Sequence, residues 1–261
     1  MPRKYTKKIT KKSTKTGGKK KKYSNIIPKY KINNDGGFGS VIMNLNSEET
    51  FVLESGALFF IKQKIGQKIE VKTKTGGILS GLSRTLLSGE TLFKNYLTAP
   101  KGSSVEITFG SSFPGEIIPI TLKPGDKYHI SSGSFLGSSA NIDVKTKFKM
   151  RGLFTGEGPF LTKLTNSSDN DGLVFLACYG KIRKVSIKKG EEYLVDNGLF
   201  LSAHEDNKFT ITKLSGYKSF FFGGEGFFMK FKGPCELYVQ NRNINDFIHQ
   251  IDIRLPKRTN I

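Results

Sequence analysis

Tryptophan is absent, cysteine occurs twice and histidine three times in this chain of 261 residues. Two cysteines make no disulfide framework of the kind that staples small secreted domains, and neither Cys178 nor Cys235 has a partner at metal-ligand spacing. Both sit in apolar strand-like runs, "VFLACYG" and "GPCELYVQ". They read as buried thiols, which favours an intracellular, reducing compartment. His129, His204 and His249 are too scattered for an H-x-x-x-H metal site. There is no G-x-S-x-G elbow, and no Ser/His or Cys/His constellation can be placed together. "TGGILSGLSR" has the glycines of a phosphate loop without its G-K-[ST], and "GGFGS" follows no clear strand. No apolar run approaches the roughly 18 residues of a membrane span, and the N-terminal stretch lacks the apolar segment of a secretory signal. The expectation is a protein that is not an enzyme and carries no catalytic residues, cofactor or metal.

Acid is missing from one region in particular. Residues 1–31 hold 12 Lys and Arg3 with no Asp or Glu, so +13 of the net +20 lies there. The arm "MPRKYTKKITKKSTKTGGKKKKYS" has too little apolar surface to offset its ordering entropy, and its like charges extend it. Residues 1–33 are therefore expected to be a disordered Lys-rich arm. Its flexible cations, Lys4, Lys7, Lys8, Lys11, Lys12, Lys15, Lys19, Lys20, Lys21 and Lys22, are the candidate polyanion-binding residues. Lysine heads of this kind contact phosphates and not base edges, so no sequence selectivity is implied. The run Lys19–Lys22 also suits a nuclear localisation signal or anionic lipid, and a merely solubilising tail is the bland alternative.

What fills the rest of the chain is short β-branched and aromatic runs punctuated by glycine. Helical periodicity is confined to "GGILSGLSRTLL" (76–87) and a short terminal "NINDFIHQI" (243–251). The strands repeat. Gly115, Gly125 and Gly133 match Gly180, Gly190 and Gly198 at an offset of 65 residues, and an earlier copy places Gly56 where Gly133 falls. "IEVKTKT" (69–75), "IDVKTKF" (142–148) and "FTITKL" (209–214) alternate with period two, which predicts one buried face and one wet face for each. The expected fold is all-β: three β-rich units, about 37–110, 111–178 and 179–243, each too small to close its own core. They form one domain over 34–250, packed with pseudo-threefold symmetry, followed by a C-terminal tail at 251–261.

Each unit also holds a glycine–carboxylate turn: Gly89-Glu90, Gly156-Glu157-Gly158 and Gly224-Glu225-Gly226. A catalytic site is usually built once, whereas turns recur with the scaffold. These residues are accordingly read as structural turns, with glycine supplying the backbone angles and the carboxylate accepting backbone N–H groups. The competing reading places three carboxylates on an axis around a cation.

The motifs "ESGALFF" (54–60), "KTGGILSGLSRTLLSGETLFKNYLTAP" (74–100) and "PGEIIPITLKPGDKYHISSGSFLG" (114–137) recur in one known family, as do "GLFTGEGPF" (152–160), "YGKIRKVSIKKGEEYLVDNGLFLSA" (179–203) and "GGEGFFMKFKGPCELYVQNRN" (223–243). Over about residues 37–250 the chain resembles the altered-inheritance-of-mitochondria, or mitochondrial biogenesis, protein family and its uncharacterised bacterial relatives. The resemblance implies repeated β units like those of the tryptophan-responsive RNA-binding attenuation protein. It implies no catalytic residues; eukaryotic relatives are associated with inner-membrane organisation. The basic arm and the polar loop "TNSSDNDG" (165–172) depart from the family pattern, and the arm is not the Arg-rich amphipathic presequence of a mitochondrial protein.

The function expected from all this is a structural or interaction protein. Its β body self-associates or binds partners through sheet edges, and its arm holds nucleic acid without sequence preference. The alternative is a membrane-organising scaffold whose arm touches anionic lipid. Nucleus, cytoplasm or virion suit the arm; the mitochondrion rests on the resemblance.

Overall fold

A computed structural model of the chain describes residues 27–75, 93–148, 161–212 and 228–256. These residues are mostly β-strand, with one α-helix among them, α1 (Ile244–Asp252). The chain enters through β1 (Lys29–Asn33) and continues with β2 (Ser40–Leu45), β3 (Thr50–Glu54), β4 (Leu58–Lys62), β5 (Glu70–Thr75), β6 (Phe93–Thr98) and β7 (Val105–Gly110). Next come β8 (Ile117–Leu122), β9 (Lys127–Ser131), β10 (Phe135–Ser139), β11 (Ile142–Phe148), β12 (Leu161–Asn166) and β13 (Gly172–Ala177). The last group is β14 (Ile182–Ile187), β15 (Glu192–Asp196), β16 (Phe200–His204), β17 (Phe209–Thr212), β18 (Phe228–Lys232) and β19 (Cys235–Gln240).

The strands form four open sheets, and every pairing within them is antiparallel. The first runs β1-β2-β7-β4, the second β5-β6-β3-β10-β13-β8, the third β11-β12-β9-β16-β19-β14 and the fourth β15-β18-β17. Residues 29–33, grouped with the arm on composition, are thus a strand, paired with β2 from Lys29 opposite Asn44 to Asn33 opposite Ser40.

Three apolar clusters hold the sheets in sequence. Met43, Phe51, Leu97, Phe109, Leu136 and Phe175 belong to the cluster between the first and second sheets. Ile120, Ile130, Val144, Leu164, Val174 and Leu176 join the second to the third. Val185, Val195, Phe200, Met229, Phe231 and Leu237 join the third to the fourth. The continuous apolar run "GLVFLA" of β13 explains how one strand serves two clusters: all six of its residues are buried. Leu173 and Phe175 point one way, Val174 and Leu176 the other, as period two requires. The equivalent inner strands β7 and β19 bury one face more than the other, in keeping with their mixed sequences "VEITFG" and "CELYVQ".

One strand departs from its expected burial. The alternation of β11 holds, with Ile142 and Val144 buried and Asp143 and Lys145 exposed. In β5, however, Val71 is 50% exposed. That strand ends its sheet, and among the described residues Ile69, just before it, packs against the first core cluster while Val71 does not. The loop at 165–172 is tied down by Asn166, which is fully buried and donates to the Leu122 and Asn170 carbonyls at 2.9 and 2.8 Å. The Asn166-Ser167-Ser168 sequon is therefore a loop anchor.

Three tight turns of one kind precede β3, β9 and β15. In each a carboxylate folds back onto a backbone N–H: Glu49 onto Asn46 at 2.7 Å, Asp126 onto Lys123 at 2.7 Å and Glu191 onto Lys188 at 2.8 Å. The residue before the carboxylate is left-handed in all three, with φ of +64° at Glu48, +86° at Gly125 and +88° at Gly190. Only glycine holds that conformation without strain.

Three outcomes follow. Phe175→Ala, which empties a site ringed by Phe51, Phe109 and Tyr30 at centroid distances of 5.9, 5.4 and 5.0 Å, should cost about 3–5 kcal/mol in urea unfolding. Glu48→Gly should raise stability by roughly 0.5–1 kcal/mol, because relief of the left-handed backbone exceeds glycine's entropy cost; Gly190→Ala should lower it in the same assay.

Candidate functional site

The residues singled out for function fall mostly beyond what the structure describes. Lys4, Lys7, Lys8, Lys11, Lys12, Lys15 and Lys19 to Lys22 lie in residues 1–26, and all three Gly-Glu turns lie in 76–92, 149–160 and 213–227, outside the described residues. What the structure supplies is the arm's attachment. The chain passes from the arm into β1, whose Lys29, Tyr30 and Lys31 are exposed at the edge of the first sheet. Ile27 and Ile32 pack against the first core cluster and fasten this strand to the body.

Several of the body's own lysines meet acids. Lys123 meets Asp171 at 2.6 Å, Lys184 meets Glu236 at 2.9 Å and Lys230 meets Glu192 at 3.0 Å. Lys163 hydrogen-bonds Glu205, which Lys127 also approaches at 3.7 Å. The arm, by contrast, has no acid within its own sequence.

A polar cleft of about 570 Å³ opens where the edge of β8 faces the third sheet. Tyr128, His204, Asp206, Lys184, Glu236 and Tyr238 line it. His204 packs edge-on to Tyr128, with centroids 5.1 Å apart, and its Nδ1 accepts the Asp206 N–H at 3.3 Å. Its Nε2 lies 3.7 Å from Asp126. Burial, and secondarily Asp126, pushes the Tyr128 hydroxyl above its ordinary pKa. Glu236 is held below its ordinary value by hydrogen bonds from Lys184 and Ser186. These charged groups already engage one another, and the lining contains no activated nucleophile.

Sequence reasoning missed one juxtaposition here. β9 pairs with β16 so that His129 stands opposite Ala203 and Tyr128 opposite His204. The two histidines thus stand on adjacent strands, but on opposite faces of the sheet, His129 beside Ala203 and His204 beside Tyr128. His129 is pushed below its ordinary pKa by burial and by Lys163, against the opposing pull of Glu205. His249 lies exposed on α1. Cys178 is buried, its thiol donating to the Gly180 carbonyl at 3.0 Å, and burial pushes it up to about 11. Cys235 is half-buried and raised by the same cause. Among the described residues no group of three or more His, Cys, Asp or Glu side chains is placed to hold a metal, and no helix is long and apolar enough to cross a membrane.

The model of the mitochondrial biogenesis AIM24 family matches residues 30–242, from β1 to the end of β19. The chain belongs to this family. A similar relative is an uncharacterised protein of Streptococcus pyogenes serotype M6, 23% identical over 233 residues that cover 85% of this chain and 89% of that protein. Among solved structures, a crystal structure of a Streptococcus pyogenes protein superposes with a TM-score of 0.67 at 20% identity, over 88% of this chain and all of that one. That likeness extends to the fold.

The depressed His129 gives a pH signature. Neutral in the folded state, it binds a proton more readily when the chain unfolds, so its contribution is present above its ordinary value of 6.5 and is lost as pH falls through that region. Glu205, held below 4.5 chiefly by the Lys163 hydrogen bond, is lost only at more acid pH. Thermal unfolding of His129→Gln should therefore fall less between pH 7.5 and 5.5 than that of the parent chain, with the difference gone above pH 7.5.

Proposed function

We propose that this AIM24-family chain is a non-enzymatic scaffold: a body of three β units, presenting a polycationic arm that binds polyanions, chiefly nucleic acid, without reading sequence. The observation that carries the arm's role is the contrast in charge. Residues 1–31 hold 13 cations and no acid, whereas the remaining 230 residues share a net charge of +7 and several of their lysines meet acids. Attachment through β1 couples any pull on the arm to the sheet behind it.

The three-unit reading is supported by recurrence of the strand pairings. β7 lies between β2 and β4, β13 between β8 and β10, and β19 between β14 and β16. Likewise β6 lies between β5 and β3, β12 between β11 and β9, and β18 between β17 and β15. A register shift falls at corresponding places, between Leu58 and Phe60, Phe135 and Gly137, and Phe200 and Ser202. The three carboxylate turns have the same spacing relative to these strands. In this proposal one rotation relates each unit to the next, β3 meeting β10 as β9 meets β16, and the pseudo-threefold closure expected from the sequence would require β15 to meet β4 of the same chain.

The arm is tested by fluorescence anisotropy of a labelled DNA duplex with the full chain and with residues 27–261, which keep β1. If about half of the arm's cations engage phosphates, affinity of the full chain falls by roughly a thousandfold between 50 and 200 mM salt. The shortened chain should bind weakly at both salts; equal binding by the two would refute the arm's role. A lipid surface is the second reading, favoured by α1, whose Phe247, Ile248 and Ile251 are 49%, 53% and 43% exposed on one helical face. It predicts flotation with anionic vesicles that survives nuclease treatment.

A further inference from the structure

Two ladders join what the proposed units contribute: β3 to β10, and β9 to β16. In each, a strand that follows a carboxylate turn pairs with a strand that carries a register shift. One strand of each kind remains with a free edge among the described residues. β15 follows the Glu191 turn and ends the fourth sheet; β4 carries the Leu58–Phe60 shift and ends the first. β4 is also unusually apolar for a free edge. Phe59, Phe60 and Ile61 are 42%, 71% and 39% exposed, and Leu194 on β15 is 36% exposed. Apolar free edges template further strand pairing.

We infer that β4 of one copy pairs antiparallel with β15 of a second copy, giving a head-to-tail assembly. This deepens the three-unit reading and rests on it. The internal ladders set the register. Gly137 faces Leu53 and Ser138 faces Val52; Ser202 faces Ile130 and Ala203 faces His129. Phe60 occupies the place of Gly137 and Ser202, since these three stand opposite Thr108, Phe175 and Tyr238 on corresponding strands. The same register puts Phe60 opposite Val195, Ile61 opposite Leu194 and Lys62 opposite Tyr193. Continued outward, it brings Lys64 to Glu191, so the charges at that end are complementary.

Side-chain size favours a second copy over closure within one chain. β10 and β16 are buried on both faces and use Gly137-Ser138 and Ser202-Ala203 at the junction. Phe60 and Ile61 are too bulky for such a doubly covered strand. They suit a junction in an outer sheet, and the first and fourth sheets each enter only one of the three core clusters. A contact of β4 with β15 is heterologous, so each addition leaves both kinds of edge open, and growth passes two copies unless a ring closes.

The test is sedimentation velocity on the full chain, Ile61→Lys and Leu194→Lys, with circular dichroism to check folding. The parent should exceed dimer mass as concentration rises, and each variant should associate at least tenfold more weakly. Mixing the two variants should restore a dimer that grows no further, because one retains β15 and the other β4. Unrestored mixtures, or variants that associate like the parent, overturn the inference. Monomers throughout do so too. In that event a bismaleimide is applied to Ile61→Cys/Leu194→Cys in a Cys235→Ser background. A link within one chain would leave the three-unit reading standing; no link would remove both.

Discussion

The body depends on β13 being buried on both faces. A strand in that position must be apolar throughout, and "GLVFLA" satisfies this with Leu173 and Phe175 in one core and Val174 and Leu176 in the next. The requirement propagates outward. β13 sits beside β10, and β10 pairs with β3, so the second sheet spans both neighbours of the core and fixes their relative placement. Without that ladder, each group of six short strands would have too little interior to offset its conformational entropy.

Much of this was legible in the chain. Period-two runs located β11, and the apolar strand-like runs "VFLACYG" and "GPCELYVQ" fall on β13 and β19. The terminal helix lies one residue beyond its predicted start, with Asn243 accepting the Asn245 N–H at its cap. The β3–β10 and β9–β16 ladders were not legible, because antiparallel pairing between distant strands leaves no local periodicity. β5 shows the converse: alternation predicts a face to bury, but burial also needs a neighbouring layer, and among the described residues none covers Val71.

The candidate site divides along similar lines. A polycationic arm is readable from composition because charge needs no fold to be seen. The carboxylate turns of Glu49, Asp126 and Glu191 carried a weaker signal, namely glycine before an acid at Gly125 and Gly190. Glu48 concealed the first of them by standing in a left-handed position where glycine is expected. The polar cleft carried no signal, since Tyr128, His204 and Glu236 come from three strands that meet only in the third sheet.

The positions of arm and free edge have a consequence of their own. β1 and β4 are the opposite edges of one four-stranded sheet, separated by β2 and β7. At the usual strand spacing they lie roughly 14 Å apart. Under the proposed function, a polyanion held by the arm would approach one edge and would leave the other, free among the described residues, to a second copy. Copies gathered along one polyanion meet at a raised effective concentration, which favours a weak strand-to-strand contact without strengthening any single interaction. High salt would release the polyanion by restoring condensed counterions, while the apolar contact of Phe60 and Ile61 would persist. The proposed binding and the inferred assembly would thus be coupled through concentration but would differ in their response to ionic strength. That difference separates a polyanion-driven assembly from one that forms by itself.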